Sequence, residues 1–444
     1  MRKFGTSGIR GVVGKDVDAE LAFDLGANLV KKKGCRVVIG RDTRNTGPML
    51  EQALAAGVAN AGGISVSIGI APTPTTALAT KKYGDIGVMI TASHNPPEYN
   101  GFKLFNSEGE EIGKAEEKAI EEKLNSGEAP QASWDKMGST AYNSNALYDH
   151  LDEIMKEVDV ELIKKKNPKV VVDPGNGAAS VIMPYALRLA GCQVVAVNTE
   201  PTGFFARNLE PNAENLKETR EIVKAIGAEL GIAHDGDSDR AIVIDENGEL
   251  VGLDAQLALM CEEVLEEKKG KIVSTIEASL CVKEAVEKAG GELEITRVGS
   301  LFVARKMAEA NAVFGGEPCG EYIFPDAVPL PDGILTGLKF VEYYCRHGSL
   351  AKAKEKISSY PMKRAKYECE DREKAMAAIA PKIKEEFKGS FFEEDGVRVD
   401  FDGGWLLVRA SGTEPIIRIT TENKTQEGLG KVFSKAEEIV KSAV

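Results

Sequence analysis

Short apolar runs rich in β-branched residues alternate, early in the chain, with longer segments of helical periodicity. Three such runs occupy residues 36–42, 64–71 and 86–90, and their length is typical of strands. Strands that alternate with helical segments indicate βαβ units and a mostly parallel sheet. This part of the chain is therefore predicted to form an α/β domain.

The same order of three runs returns twice. The later runs fall into two sets, at 170–175, 193–198 and 230–233, and at 272–274, 293–298 and 313–316. After residue 361 the pattern changes, and it predicts a helix at 373–388, strands at 396–401, 405–410 and 416–421, and a final helix. We predict three similar mixed α/β domains in tandem, at 1–143, 144–250 and 251–361, followed by an α+β domain at 362–444.

The third run of each set leads directly into an unusual loop. These loops contain Ser93, Asp235 and Glu317. In open α/β sheets, ligands bind at the loops beyond the carboxyl ends of the strands. Three such edges around one central cleft would bring the loops together. The plainer alternative is that loops rich in glycine and aspartate occur in any α/β protein.

The composition narrows the class of protein. The chain has 444 residues and a formal net charge of -13, which disfavours nucleic-acid and membrane-surface partners. No apolar run is long enough to cross a bilayer and no secretory segment opens the sequence, so we expect a cytoplasmic protein. The seven cysteines are scattered, and with only four histidines a bound metal should be a hard cation with oxygen ligands. Nothing in the sequence predicts an oligomeric state.

Ser93 lies in a turn-forming context, because Asn95, Pro96 and Pro97 follow it. Such a serine can be a covalent nucleophile or a carrier of phosphate. Acyl transfer is disfavoured, because no G-x-S-x-G elbow surrounds the serine and His94 is its immediate neighbour. A serine in a surface turn is the plainer alternative.

Alternating carboxylates at Asp235, Asp237 and Asp239 follow an apolar run, with Gly236 to allow a tight bend. They are suited to bind Mg²⁺ together with a phosphate. A calcium-binding EF-hand loop is the competing interpretation, but Arg240 stands where that loop needs glycine, and the flanks resemble strands. We therefore favour a metal site that serves phosphoryl transfer.

Other candidate groups lie on either side of these two motifs. The residues that suit a phosphate dianion in a hairpin near the C-terminus are Arg409, Ser411, Gly412, Thr413 and Arg418. Glu317 and Glu321 frame a loop without basic residues, which suits sugar hydroxyls or an amine, although such pairs are often solvated. Lys103 could move protons if nearby cations depress its pKa. Arg10, in a glycine-rich turn, is a weaker candidate.

Five motifs in order, FGTSGIRG, TASHNPPEYNGFKLF, DGDSDR, GGEPCGE and RASGTEP, resemble those of the α-D-phosphohexomutase family. The resemblance implies four domains around a central cleft and a phosphoserine at Ser93. It further implies Mg²⁺ bound by the three aspartates and the Ser93 phosphate, and a hexose 1,6-bisphosphate intermediate. The family roles carried over are phosphoserine binding and proton transfer by Arg10, His94 and Lys103, sugar-hydroxyl binding by Glu317 and Cys319, and distal phosphate binding by Arg409, Ser411, Gly412 and Thr413. Arg240, Glu321 and Arg418 are further candidates for substrate binding.

The sugar loop departs from the family at two positions, because Cys319 replaces a common serine and Glu321 a common histidine. An extra acid favours a substrate that carries an ammonium group, so we expect glucosamine 6-phosphate to be preferred. Mannose and glucose phosphates are the alternatives within the family. A metal-dependent sugar phosphatase and a non-catalytic sugar-phosphate sensor are the alternatives outside it.

Overall fold

The computed structural model describes residues 4–5, 8–411 and 414–444. Its first segment contains β1 (Ile9–Val12), α1 (Ala19–Leu29), β2 (Arg36–Arg41), α2 (Gly47–Asn60), β3 (Ile64–Ile70), α3 (Thr73–Tyr83), β4 (Ile86–Ile90), β5 (Tyr99–Phe105), α4 (Lys114–Ser126) and β6 (Ser139–Tyr142). The sheet has the order β1-β5-β4-β2-β3-β6, with β2 parallel to both β3 and β4. The three strands predicted here are thus confirmed.

The second segment forms a smaller sheet of order β10-β9-β7-β8. Its elements are α5 (Ala146–Ile154), α6 (Val160–Lys166), β7 (Lys169–Asp173), α7 (Met183–Ala190), β8 (Gln193–Ala196), α8 (Lys217–Ala225), β9 (Leu230–His234) and β10 (Ala241–Ile244). Because the acidic triplet connects two strands, β9 and β10, the helix-loop-helix of an EF-hand is excluded.

The third segment contains α9 (Leu253–Glu267), β11 (Lys271–Thr275), α10 (Leu280–Lys288), β12 (Glu292–Thr296), α11 (Ser300–Ala310), β13 (Phe314–Glu317), β14 (Glu321–Ile323), α12 (Gly333–His347) and α13 (Leu350–Glu355). β11 lies between β12 and β13 and is parallel to both. The same arrangement holds for β7 between β8 and β9, and for β2 between β3 and β4. The three sets of runs therefore share one strand order, as their repeat in the sequence indicates.

The fourth segment is an antiparallel sheet of order β15-β19-β18-β17-β16 with two helices. Its elements are β15 (Met362–Glu368), α14 (Arg372–Glu386), β16 (Ser390–Phe392), β17 (Val397–Phe401), β18 (Gly404–Ala410), β19 (Ile416–Asn423) and α15 (Gln426–Lys441). The predicted helices and three strands are confirmed, and β15 and β16 are additional. The whole is an α/β fold of three related segments and a C-terminal α+β segment.

The chain divides into two compact units. The first comprises residues 1–253 and 319–354, and the second comprises 254–318 and 355–444. In the second unit, Trp405 is fully buried beside Ile276 and Leu280, and its indole Nε1 donates to Glu422 at 2.6 Å. Apolar and polar contacts thus join the third sheet to the C-terminal sheet within this unit. Every helix of the described ranges is too short or too polar to cross a bilayer.

Candidate active site

Ser93 lies on the tight turn that follows β4, and its side chain is buried. Its backbone φ is +50°, a left-handed conformation that is uncommon for a residue other than glycine. The Ser93 amide donates to the hydroxyl of Thr91 at 2.8 Å, which helps to hold the turn. The turn therefore presents the hydroxyl at the carboxyl end of a buried strand.

The three aspartates converge on one point in the connection between β9 and β10. Each offers a carboxylate oxygen, and these oxygens lie within 4.8 Å of one another. All three residues are buried. The amide of Ser238 donates to Asp235 Oδ1 at 3.0 Å, so the turn itself fixes one of the carboxylates.

The serine turn and the acidic turn touch each other. Ser93 Oγ donates to Asp235 Oδ2 at 2.7 Å. A Cβ atom on Gly236 would lie only 2.4 Å from the Ser93 carbonyl oxygen, so glycine is required for this approach. The turn thus brings the Ser93 hydroxyl to a group of three carboxylates that begins 142 residues later in the chain. The sequence motifs predict this proximity.

Lys103, on β5, forms ion pairs with two of the aspartates. Its Nζ donates to Asp237 Oδ2 and to Asp239 Oδ2, both at 2.7 Å. Burial acts to lower the pKa of Lys103, but the charges of Asp237 and Asp239 outweigh it and raise the pKa above its ordinary value. The expected depression of this pKa by nearby cations is therefore wrong, because carboxylates are the nearest charges.

The free carboxylate oxygens fit a hard cation. Within the described part of the chain, no donor reaches the buried Oδ1 atoms of Asp237 and Asp239. Burial raises the pKa of Asp235 well above its usual value, and the charges of Asp239 and Asp237 act in the same direction. A divalent cation would supply both the missing partners and the missing positive charge. Mg²⁺, which prefers oxygen ligands, suits this set together with a phosphate on Ser93.

His94 and Arg10 flank the serine from the same unit. His94 Nδ1 lies 3.4 Å from Ser93 Oγ and 3.7 Å from Glu210 Oε2. Burial lowers the pKa of His94, and Arg240 adds to this effect. Arg10 Nη1 donates to Asn95 Oδ1 at 3.5 Å, while its buried Nε has no partner among the described residues. An unused buried donor beside the serine turn suits an anionic group.

Arg240 is already paired with acids. Its Nε and Nη2 both lie 2.9 Å from Glu321 Oε1, and its Nη1 lies 3.4 Å from Glu210 Oε2. Burial raises the pKa of Glu321, and the Arg240 guanidinium opposes that rise. The charge of Glu321 is therefore balanced inside the protein. The expectation that Glu321 selects an ammonium group loses its physical basis, since this carboxylate serves Arg240.

The remaining predicted residues that the structure describes lie in the second unit, apart from Cys319, which is partly buried in the first. Glu317 ends β13 and accepts from the amide of Gly299 at 3.1 Å. Arg409 and Arg418 are directly opposite each other on β18 and β19. Their acidic partners are Asp395 at 2.8 Å and Glu414 at 2.6 Å.

The buried Nε atoms of Arg409 and Arg418 form no hydrogen bond to a described residue. Arg409 Nε lies at ion-pair distance, 3.7 Å, from Glu277 Oε1. Ser411 Oγ, at the end of the hairpin, accepts from the amide of Glu414 at 3.2 Å. The predicted residues Gly412 and Thr413 lie outside the described residues. The described part of the hairpin retains the cationic character that suits a phosphate.

Four residues that shape these loops were not found by sequence reasoning. Thr73 donates to Asp237 Oδ2 at 2.6 Å, and Thr91 accepts from the serine turn. Arg44 donates to four carbonyl oxygens of the serine turn, and Arg372 donates to the carbonyls of Ser411 and Glu414. Arg44 follows the carboxyl end of β2, and this position is a signal that could have drawn attention to it.

Models of known protein families match nearly the whole chain. The domains described for phosphoglucomutase/phosphomannomutase match in order: alpha/beta/alpha domains I, II and III at residues 1–131, 148–248 and 253–360, and the C-terminal domain at 365–439. A probable phosphoglucosamine mutase from Methanobrevibacter smithii is 43% identical over 452 residues, with 99% of each chain covered.

A second relative and a solved structure agree with this match. A phosphoglucomutase/phosphomannomutase from Thermococcus kodakarensis is 43% identical over 434 residues, covering 96% of this chain and 95% of the relative. The crystal structure of a family protein from Burkholderia thailandensis has a TM-score of 0.88 at 28% identity, covering 99% of this chain and 97% of the other. The chain belongs to the phosphoglucomutase/phosphomannomutase family, the α-D-phosphohexomutases that its motifs resemble.

Proposed function

We propose that this protein is a phosphoglucosamine mutase, which interconverts glucosamine 6-phosphate and glucosamine 1-phosphate through a phosphorylated Ser93. The observation that carries the proposal is the contact of Ser93 Oγ with Asp235 Oδ2 at 2.7 Å, inside a cluster of three buried aspartates. A hydroxyl held against a cluster that fits a divalent cation is suited to carry a phosphoryl group.

In the proposed reaction, phosphorylated Ser93 transfers its phosphoryl group to the free hydroxyl of the sugar monophosphate. The bond from phosphorus to Ser93 Oγ breaks and a bond from phosphorus to the sugar oxygen forms, while the sugar hydroxyl gives up its proton and Ser93 Oγ takes one up. In the second transfer, the bond between the other phosphorus and its sugar oxygen breaks and a bond to Ser93 Oγ forms, so Ser93 loses its proton and that sugar oxygen gains one. Arg10, His94 and Lys103 are assigned to phosphoserine binding and proton transfer, with Lys103 as a charged group rather than as the base, because Asp237 and Asp239 raise its pKa.

Mg²⁺ is the proposed metal, held by Asp235, Asp237, Asp239 and the phosphate of Ser93. When bound, it neutralises negative charge on the transferred group, which is the main source of catalysis in phosphoryl transfer. Lys103 holds two of the carboxylates through their Oδ2 atoms, which leaves their Oδ1 atoms for the cation. The protein thus orients the ligands before the metal binds.

We assign the rest of the substrate to the other predicted residues. The sugar hydroxyls are assigned to Glu317 and Cys319, and the Arg240–Glu321 pair to the substrate near the transferred group. The phosphate that does not react is assigned to Arg409, Ser411, Gly412, Thr413 and Arg418. The Nε atoms of Arg409 and Arg418 support this assignment, because neither forms a hydrogen bond to a described residue and a phosphate accepts from several guanidinium groups at once.

The choice of glucosamine phosphate is supported by relatives rather than by Glu321. Relatives from Methanobrevibacter smithii and Methanococcoides burtonii are named as probable phosphoglucosamine mutases, at 43% and 42% identity. The Thermococcus kodakarensis relative, also 43% identical, is named for glucose and mannose phosphates instead. A phosphoglucomutase/phosphomannomutase is therefore the second candidate.

Turnover of glucosamine, glucose and mannose 6-phosphates under one set of conditions decides between these candidates. We expect the largest kcat/KM for glucosamine 6-phosphate. A larger value for glucose or mannose 6-phosphate would replace the substrate and leave the mutase in place. Release of free phosphate without any sugar 1-phosphate would instead indicate a phosphatase.

Intact-mass measurement tests the role of Ser93 itself. After incubation with a hexose 1,6-bisphosphate, the wild-type chain should gain one phosphate, and Ser93→Ala should gain none and lose mutase activity. Ser133→Ala is the matched control, because Ser133 is exposed and its hydroxyl donates to Asp135 Oδ1. Phosphate at another serine with Ser93→Ala still active would refute the proposal, and a wild-type chain that binds ligand without phosphorylation would indicate a sensor.

A further inference from the structure

The guanidinium group of Arg44 donates hydrogen bonds to the backbone of the serine turn and to residues beside it. The side chain is buried, at 1% exposure, in the loop between β2 and α2. Its Nη atoms donate to the carbonyl oxygens of Ser93 and Asn95 at 2.8 Å each, of Pro96 at 2.6 Å and of Tyr99 at 2.9 Å. The fifth donor, Nε, lies 3.0 Å from Asp42 Oδ2. All five donors of the group are therefore satisfied.

The same network reaches the serine turn from its other side. Asp42 Oδ2 accepts from the hydroxyl of Thr91 at 2.7 Å, and that hydroxyl accepts from the Ser93 amide at 2.8 Å. Asp42 Oδ1 also accepts from the Arg44 amide at 3.0 Å. Both the N–H and the C=O of Ser93 are thus held by one buried cluster of three side chains.

A strained turn needs such a cluster. Left-handed φ at a residue other than glycine is strained and persists only where the surroundings determine it. The Ser93 carbonyl oxygen that Arg44 binds is also the atom that closely approaches Gly236 of the acidic turn. Because Arg44 fixes this oxygen, it sets the separation between the phosphate-carrying hydroxyl and the carboxylates.

We propose that Arg44 is the positioning residue for the nucleophile: with Asp42 and Thr91 it holds Ser93 Oγ at the carboxylate cluster in the geometry that phosphoryl transfer requires. This inference rests on the proposed function. Arg44 has no hydrogen bond to Ser93 Oγ or to Asp235, Asp237 and Asp239, so its effect passes through the backbone of the turn. Its loss should lower kcat with little change in KM, because the turn carries the transferred group rather than the bound sugar.

Arg44→Lys is the decisive variant, since a lysine ammonium keeps the charge but offers three donors from a single atom. It leaves at least one of the four carbonyl oxygens without its donor and frees the turn to move. A misplacement of about 1 Å costs on the order of 100-fold in rate, so we expect kcat to fall about 100-fold and KM to stay within about threefold. Arg36→Lys is the control, because Arg36 also donates to a carbonyl oxygen, that of Tyr83 at 2.7 Å, outside this cluster.

Two further measurements separate positioning from folding. Arg44→Ala should recover part of its kcat when guanidinium ion is added at concentrations below those that unfold the protein. Thr91→Val, which keeps the shape and removes the hydrogen bond to the Ser93 amide, should lower kcat about tenfold, and it decides the question if the Arg44 variants do not fold. The rate of phosphate transfer from glucose 1,6-bisphosphate to Ser93, followed by intact mass, should fall in parallel with kcat.

The inference is overturned if folded Arg44→Lys keeps a kcat within about threefold of Arg36→Lys. It is likewise overturned if the folded fraction of each variant has wild-type kcat, or if Arg44 cannot be tested and Thr91→Val retains full kcat. A wild-type chain that never acquires phosphate on Ser93 would remove the proposed function and this inference together. Normal phosphorylation of wild type with unimpaired variants would remove this inference alone.

Discussion

Gly236→Ala is a sharp test of the contact between the serine turn and the acidic turn. The added Cβ would lie 2.4 Å from the Ser93 carbonyl oxygen and 3.0 Å from Leu209 Cδ1. An ordinary contact needs about 3.4 Å, so the two turns would have to separate by about 1 Å. The Ser93 oxygen cannot yield freely, because Arg44 binds it at 2.8 Å. The strain therefore falls on the spacing between Ser93 and the carboxylates.

We expect Gly236→Ala to lower kcat about 100-fold, the usual cost of a displacement of about 1 Å at reacting groups. Overpacking of this kind also destabilises the fold by about 1–3 kcal/mol. Because the carboxylates move relative to the phosphoserine, the Mg²⁺ concentration for half-maximal activity should rise. A coupled assay of sugar 1-phosphate formation at several Mg²⁺ concentrations measures both effects, and thermal unfolding measures the third.

Gly252→Ala is the matched control, since it adds the same methyl group where no atom lies within 4 Å. This variant should keep wild-type kcat and Mg²⁺ dependence. Should Gly236→Ala match Gly252→Ala within about threefold in kcat, the two turns would not need their observed spacing, and the reasoning from the 2.4 Å contact would be refuted.

Three further predictions each concern a single residue. Thr73→Val removes the donor to Asp237 Oδ2 and should raise the Mg²⁺ requirement about 10-fold or more, and an unchanged Mg²⁺ titration would contradict it. Burial raises the pKa of Asp254 from 3.8 to about 6, so the folded state binds more protons between these values and stability falls as pH rises through them. Asp254→Asn should remove that fall in urea unfolding and add about 1–2 kcal/mol at pH 7, whereas a wild-type pH profile would disprove the assignment. Gly430→Ala, in α15 with open space around its Cβ, should add about 0.5–1 kcal/mol in the same assay, and a loss of stability would count against it.

The strands predicted from the sequence are buried ones, because a buried strand appears in the sequence as an apolar run. β4 and β9 are buried along their whole length, and both were predicted. β15 was missed because it is an edge strand whose residues are mostly charged and exposed. Its pairing with β19 is visible only in three dimensions, since edge strands need little apolar surface.

The site residues also divide into those with a local signal in the sequence and those without one. Ser93 and the aspartates were found because their motifs are unusual in composition and follow predicted strands. Arg44 and Thr73 were missed, since each is a single residue whose role depends on contacts 49 and 164 residues away. No local pattern distinguishes a buried arginine that binds carbonyls from an exposed one.

The strand that follows each of the two turns is less visible in the sequence than the polar residue that it brings to the site. β5 runs antiparallel to β4, and β10 runs antiparallel to β9. These return strands bring in a second polar side chain, Lys103 on β5 and Arg240 immediately before β10, and each binds an acid of the site or beside it. Lys103 lies within β5 and interrupts its apolar run, so the residue that completes the site also makes this strand harder to recognise. Polar residues isolated within short apolar stretches just after a ligand-binding turn therefore indicate return strands in this fold.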